Sequence, residues 1–179
     1  PESLDVYAMQ LVLDFGTGLD RDRLRAAATA LFDRYPNLRA GFGTDESGHA
    51  RQLVPAHVEL AWRDVDLTDR PEALAEVLRA ECERHFDMAA PPLLRYALIS
   101  TSVETTHLAV TAHHILLDGW SLPLLLKDLL ITYATGDAAV LPRAGRYRDY
   151  LAWLAGRDAE QSRAAWTAAL AGLPAVGMA

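Results

Sequence analysis

The chain has 179 residues, of which 51% are hydrophobic, and this is enough to bury the core of one globular domain. Its formal net charge is −7 at pH 7, and with no basic stripe in the sequence this argues against nucleic acid or an anionic membrane as a partner. The chain has a single cysteine, Cys82, which excludes an intramolecular disulfide. The sequence shows neither an apolar stretch of membrane-spanning length nor a signal-peptide pattern, and we therefore expect a cytoplasmic protein.

The first third of the chain predicts a strand, a helix and a hairpin. Residues 6–15 are apolar with β-branched and aromatic members, which is typical of a strand. Asp20 predicts the start of a helix that runs to about Tyr35, where Pro36 ends it. Three short strands follow at 38–42, 51–54 and 57–62, the first two joined as a hairpin by a turn-rich loop.

The middle of the chain predicts a helix followed by a second hairpin. Thr68 or Asp69 caps the helix, whose apolar face recurs at four-residue spacing and ends at Phe86. Apolar runs at 93–100 and 106–114, separated by a polar turn, predict two paired strands.

The remaining chain is predicted to be helical. Ser121 caps a helix that Gly136 ends. Two further helical patterns cover 147–154 and about 158–170, with Trp153 and Trp166 as packing anchors. This mixed order of strands and helices favours an α+β layer architecture.

The pair His113-His114 at the end of the last strand is the main candidate for chemistry. Successive side chains of a strand point to opposite faces, so only one of the two imidazoles can project into a given cavity. An imidazole can take a proton from an attacking nucleophile near neutral pH. We therefore expect one histidine to be functional and the other structural.

Two residues after this pair leave alternatives open. Asp118 can orient the imidazole or hold the loop that carries it. Gly119 allows close backbone approach or a positive φ. A simpler interpretation is a core histidine beside a surface histidine, with Asp118 only opening a turn.

Five segments together resemble the N-terminal half of a condensation domain from a nonribosomal peptide synthetase, of the chloramphenicol acetyltransferase-like superfamily. Residues 113–121 resemble the HHxxxDG motif with its Trp-Ser continuation. Residues 34–42 are similar to the RHExLRTxF segment, with Tyr35 in place of histidine and a further departure at Gly41. The other matches are 86–95 with PFDL…PLLR, 147–153 with YxDFAVW, and 166–174 with the helix end that closes the first half.

The resemblance implies a fold and a domain organisation. The expected fold is half of the chloramphenicol acetyltransferase-like architecture, a mostly antiparallel or mixed sheet of about five strands with helices packed on it. Residues 1–179 then form the N-terminal subdomain, without the family's first motif and without the C-terminal half. A complete domain is a V-shaped pseudo-dimer with its active site in a tunnel between the halves.

The resemblance also implies a reaction. The amino group of a carrier-bound aminoacyl thioester attacks a carrier-bound acyl or peptidyl thioester, and an amide forms. Both substrates ride on phosphopantetheine arms, so no cofactor is expected to bind directly, and no residue is assigned to cofactor binding. The expected partners are peptidyl or aminoacyl carrier proteins and the C-terminal half of the domain.

By the same resemblance, His114 faces the tunnel as a general base or as a positioning group for the amine, while His113 is packed. Asp118 is expected to form a buried salt bridge with Arg39, with Arg95 as a rival partner, so that Asp118→Ala lowers the melting temperature. Gly119 completes the motif. No zinc site is expected among His49, His57 and His85, and the tryptophans Trp120, Trp153 and Trp166 are expected to be core or helix-packing residues.

Three functional hypotheses follow. The favoured one is a subdomain of a catalytically competent condensation domain, inactive as an isolated fragment. The second is a non-catalytic fragment that binds carrier proteins, and the third is a stand-alone acyltransferase that uses a soluble thioester and an alcohol acceptor. The residues after Asp118 favour ordinary peptide-bond condensation over epimerisation or cyclisation.

Overall fold

The computed structural model describes residues 7–172, which divide into two compact units between Ala144 and Gly145. The architecture is the mixed α+β class that the sequence predicted. In chain order the elements are β1 (Ala8–Phe15), α1 (Arg21–Arg34), β2 (Gly41–Thr44), β3 (Ala50–Leu53), β4 (Ala61–Asp66), α2 (Leu74–Glu83), β5 (Leu94–Ser100), β6 (Thr106–His113), α3 (Ser121–Thr135), α4 (Tyr147–Ala155) and α5 (Ala159–Ala169). Every helix within this range is too short or too polar to span a lipid bilayer.

The first unit is built on a four-stranded mixed sheet in the order β1-β6-β5-β4. The pairs β1–β6 and β5–β6 are antiparallel, and β4 pairs with β5 in parallel. Strands β2 and β3 form a separate two-stranded sheet, so the expectation of one sheet with about five strands is corrected to four strands and a hairpin. Strand β6 therefore lies inside the sheet, with a partner on each side.

Strand alternation distributes the apolar side chains of β5 and β6 to the two faces of the sheet. Leu98 and Leu108 pack with Leu31 of α1 and with α3 in the larger core. Ile99 and Ala109 face the opposite way and pack against α2. The sheet is thus covered on both faces, and its central strands are apolar on both sides, as buried strands require.

A polar link joins α2 to the sheet. The Nε2 atom of Gln10 on β1 donates to the carbonyl oxygen of Leu78 at 2.9 Å and to the hydroxyl of Thr111 on β6 at 3.0 Å. Because Thr111 is buried, this bond gives its desolvated hydroxyl a partner. The link fixes α2 over the sheet.

Two predicted helix ends are confirmed. The carboxylate of Asp20 accepts from the Arg23 N–H at 3.0 Å and caps α1. Gly136 ends α3 with a φ of 77°, the left-handed conformation that glycine adopts at least cost, and its N–H donates to the Thr132 carbonyl.

Other predicted boundaries were wrong. The strand expected at 57–62 begins at Ala61, because Val58 packs on the core before pairing with β5 starts. Neither Thr68 nor Asp69 caps α2, which instead follows a short 3₁₀ turn at Pro71–Ala73. Phe86 lies beyond the end of α2 rather than on its apolar face.

The second unit contains α4 and α5 in its described part. Asp158 caps α5 through bonds from the N–H groups of Glu160 and Gln161. Trp153 stacks on Tyr150 within α4, and Trp153 and Trp166 are 57% and 67% exposed. The expectation that these two tryptophans are packed anchors is therefore wrong for the described structure.

Candidate active site

The histidine pair lies where β6 leaves the sheet. His113 is the last residue of β6, and His114 begins the turn that leads towards α3. Backbone bonds hold this point from both sides: the His113 N–H donates to Leu93 O at 2.9 Å, and the His114 N–H donates to Tyr7 O at 2.8 Å. The strand thus ends in a fixed position.

His114 presents its imidazole to the surface. The residue is exposed, and its ring makes no hydrogen bond to any residue in the range 7–172. The predicted strand 106–114 ends one residue earlier, at His113, so the backbone places His114 in the turn that follows. The ring is accessible to a ligand.

His113 is half-buried and packed between aromatic rings. Its ring centroid lies 5.9 Å from that of Tyr7 and 6.3 Å from that of Phe86, the latter edge-on at 87°. Its Nδ1 atom accepts from the Ile115 N–H at 3.1 Å. The structure thus separates an exposed His114 from a packed and hydrogen-bonded His113.

Asp118 does not form the expected salt bridge with Arg39. Its exposed carboxylate accepts from the N–H groups of Ser121 at 2.7 Å and Trp120 at 3.1 Å, at the start of α3. Hydrogen bonds from the Ser121 side chain, the Ser121 N–H and the Trp120 N–H together lower the pKa of Asp118. Its role is to open α3, the simpler alternative that the sequence left open.

We expect Asp118→Ala to lower the melting temperature slightly, and Asp118→Asn to lower it less, because asparagine can still accept a backbone N–H. The lowered pKa means that the ionised carboxylate stabilises the fold above its unfolded pKa, and that this contribution disappears as the pH falls through its folded pKa. The difference in melting temperature between wild type and Asp118→Ala should therefore begin to shrink as the pH falls below the unfolded pKa of about 3.9 and should be smallest below the folded pKa. A large, pH-independent loss would contradict the role of the Asp118 carboxylate as acceptor for the Trp120 and Ser121 N–H groups.

Arg39 is occupied elsewhere. It is buried, and its Nη1 donates to the carbonyl oxygens of Phe32 at 2.7 Å and Asp33 at 3.1 Å, while Nε donates to Pro55 O at 3.3 Å. A cation is stabilised near the C-terminal end of a helix, here α1. Arg39 therefore joins the end of α1 to the segment before β4, which is a structural role.

Arg95, the rival partner for Asp118, also binds a different group. It is buried on β5, and its Nε lies 3.5 Å from Oε2 of Glu81, a carboxylate that is itself only 4% exposed. The same carboxylate pairs with Arg63 at 2.8 Å and Arg84 at 2.9 Å. Sequence reasoning missed Glu81, because a glutamate in a helical pattern gives no sign that it is buried.

Gly119 shows neither of the features that its residue type suggested. It is not among the described glycines with a positive φ, and a Cβ built on it meets no atom within 4 Å in the structure. Neither backbone geometry nor close packing therefore calls for glycine at this position.

An exposed apolar surface lies next to the motif. Trp120 is 86% exposed, and Ile115, Leu124 and Tyr7 are also exposed. The expectation that Trp120 is a core residue is therefore wrong. Trp120 and Leu124 are four residues apart at the start of α3 and lie on the side away from the buried Leu122. This helical spacing is visible in the sequence and could have predicted that both residues share one face.

The family assignment follows from comparison of the whole chain. A family model described as "Condensation domain" matches residues 2–177. The chain belongs to the condensation domain family. This confirms the resemblance that the motifs indicated.

Relatives of this condensation domain chain are large synthases and synthetases. Chondramide synthase cmdD of Chondromyces crocatus is 32% identical over 96% of this chain and 4% of that protein. Malpinin synthetase of Mortierella alpina is 31% identical over 95% of this chain and 2% of that protein. The chain thus spans only a few per cent of the length of the curated relatives that it matches.

The fold of the condensation domain is also recovered among solved structures. The starter condensation domain of rhizomide synthetase RzmA superposes with a TM-score of 0.80 at 21% identity, over 96% of this chain and 44% of that chain. This confirms the predicted fold class.

Proposed function

We propose that this chain is the N-terminal part of a nonribosomal peptide synthetase condensation domain and that His114 serves amide formation in the complete domain. The observation that carries the proposal is the arrangement of the histidine pair, an exposed His114 beside a packed and hydrogen-bonded His113. The family motif supplies the context, because a bare pair of histidines would be weak support.

In the proposed reaction, the amine nitrogen of a carrier-bound aminoacyl thioester attacks the carbonyl carbon of a carrier-bound acyl or peptidyl thioester. A C–N bond forms and the C–S bond of the donor breaks. The attacking nitrogen loses one proton, and the departing thiolate of the phosphopantetheine arm gains one, so that no further reactant is required.

His114 supports this reaction in one of two ways. A neutral imidazole can remove the proton from the amine as it attacks, which is typically worth about 10²–10⁴-fold in rate. It can also hydrogen-bond the amine and hold it in line with the thioester carbonyl. An exposed ring whose nitrogens bind no residue in the described part of the chain is compatible with both.

The proposed partners are a donor and an acceptor carrier protein and a C-terminal half of the domain. The relatives of the chain are synthases and synthetases many times its length, which supports its action beside further domains. The exposed apolar residues beside His114, among them Trp120 and Leu124, provide a surface at the motif that further protein or substrate can cover. No directly bound cofactor is part of the proposal.

A transfer assay on the complete synthetase tests the proposed function. A donor thioester and an aminoacyl thioester, each loaded on its carrier protein, should yield an amide that mass spectrometry detects on the acceptor carrier. The isolated 179-residue chain should give no turnover. An ester formed from a soluble thioester and an alcohol, with no amide, would favour the stand-alone acyltransferase, and carrier binding without any product would favour the binding fragment.

A further inference from the structure

The guanidinium of Arg95 is held at the C-terminal end of α2. Its Nη2 atom donates to the carbonyl oxygens of Glu81 and Arg84, in the last turn and at the cap of the helix. These carbonyls carry the negative end of the helix dipole, which stabilises a cation. Because Arg95 is 5% exposed, this site fixes a charge inside the protein rather than at its surface.

Phe86 connects this cation to the histidine pair. The central carbon of the Arg95 guanidinium lies 3.9 Å from the centroid of the Phe86 ring, well within the range of a cation–π contact. The same ring meets His113 edge-on, with the centroids 6.3 Å apart and an interplanar angle of 87°. Arg95, Phe86 and His113 are therefore in continuous contact.

A hydrogen bond links the His113 ring to the turn that carries His114. Its Nδ1 accepts from the N–H of Ile115, the residue immediately after His114. A ring nitrogen that accepts a hydrogen bond carries no proton, so the neutral ring holds its proton on Nε2. Rotation of the His113 ring would break this bond and leave the turn held by the backbone bond from the Leu116 N–H to the His113 carbonyl at 3.0 Å.

We propose that Arg95 is a positioning residue for the condensation site. Through the Phe86 ring it fixes the His113 imidazole, and the bond from Ile115 to that imidazole is one of the hydrogen bonds that hold the turn presenting His114. The effect of Arg95 on the orientation of His113 is argued only from the contacts of both residues with Phe86. Its kinetic consequence rests on the proposed function of His114.

Imidazole ¹⁵N NMR spectra of the full chain test the first step. We compare wild type with Arg95→Met, which removes the cation, and Phe86→Leu, which removes the aromatic face. Arg63→Met is the matched control, because it removes another arginine from Glu81 without contacting Phe86. Wild type and the control should show His113 with its proton on Nε2, whereas the two test variants should show a mixture of tautomers.

Kinetics of the complete synthetase test the second step. Arg95→Met and Phe86→Leu should lower kcat for amide formation roughly 10- to 100-fold, the scale expected when a reacting group is misplaced, with KM for the acceptor nearly unchanged. Arg95→Lys, which keeps the charge without the planar group, should recover part of kcat. Where Arg95→Met fails to fold in a thermal melt, Arg95→Lys decides both steps, because it alters the group that lies on the Phe86 ring and leaves that ring in place.

The outcomes separate this inference from the proposed function. A His113 spectrum that is unchanged in Arg95→Met or in Phe86→Leu, or changed equally in Arg63→Met, overturns the role of Arg95. A changed spectrum with unchanged kcat overturns its kinetic consequence. If the wild-type synthetase forms no amide, the proposed function fails, and the spectra still decide whether Arg95 positions His113.

Discussion

His114→Ala is expected to lower kcat for amide formation by about 10²–10⁴-fold in the complete synthetase, the usual contribution of a general base. The melting temperature should stay at the wild-type value, because the ring is exposed and bonds to no residue in the described structure. The measurements are a condensation assay with carrier-bound substrates and a thermal melt of the same protein.

His57→Ala is the matched control for this variant. His57 is also exposed, in the segment before β4, and belongs to no proposed site. It should leave both kcat and the melting temperature unchanged. Full activity in His114→Ala would remove the catalytic role of that residue, and a loss of activity that merely follows a fall in melting temperature would make His114 structural.

Glu81→Gln is expected to have the largest effect on stability. The Glu81 carboxylate is 4% exposed and faces three arginines, of which Arg95 is buried as well. Neutralising it removes the carboxylate that faces the buried Arg95, and removing one partner of a buried ion pair typically destabilises a fold by about 3–5 kcal/mol. For a protein of this size each kcal/mol lowers the melting temperature by roughly 2–4 °C. Denaturant and thermal unfolding of the full chain measure both quantities.

Glu83→Gln provides the comparison on the same helix. The Glu83 side chain is 50% exposed, and its carboxylate lies 3.9 Å from the Nε of Arg79. Exposed pairs of this kind contribute about 0–1 kcal/mol, so the variant should unfold close to wild type. Equal stability losses in the two variants would show that burial of Glu81 does not determine its contribution.

Sequence patterns predicted the elements whose signals are local. The Asp20 cap of α1 and the left-handed Gly136 at the end of α3 are decided by residues within one turn of the chain. Strands β5 and β6 are nearly continuous apolar runs because both faces of the sheet are covered, and their pairing follows from the short turn between them. The start of β4 was predicted too early in the chain, because it is set by where pairing with β5 begins, at Ala61 and Arg95.

The position of His114 at the end of a buried strand could be read from sequence, but the partners of the charged residues could not. Asp118 and Arg39 carry opposite charges, yet each forms hydrogen bonds with backbone groups that are near it in sequence. Asp118 accepts from the Ser121 N–H, and Arg39 donates to the Phe32 carbonyl. Glu81 pairs with three arginines, which lie on β4, on β5 and at the end of α2. These residues come together only because α2 packs on the sheet, and sequence spacing does not show this. Trp120 was placed in the core on residue type alone, although its helical spacing favours the opposite side of α3.

The place of β6 between β1 and β5 has a consequence for the order of folding. Its pairing with β5 closes a short hairpin, since Ser100 pairs with Thr106, whereas pairing with β1 joins Ala8 to His113, which are 105 residues apart in sequence. Contacts of low sequence separation form with a smaller loss of chain entropy. We therefore expect the hairpin to act as the template on which the first strand docks late, so that the backbone bond from His114 to Tyr7 is among the last to form.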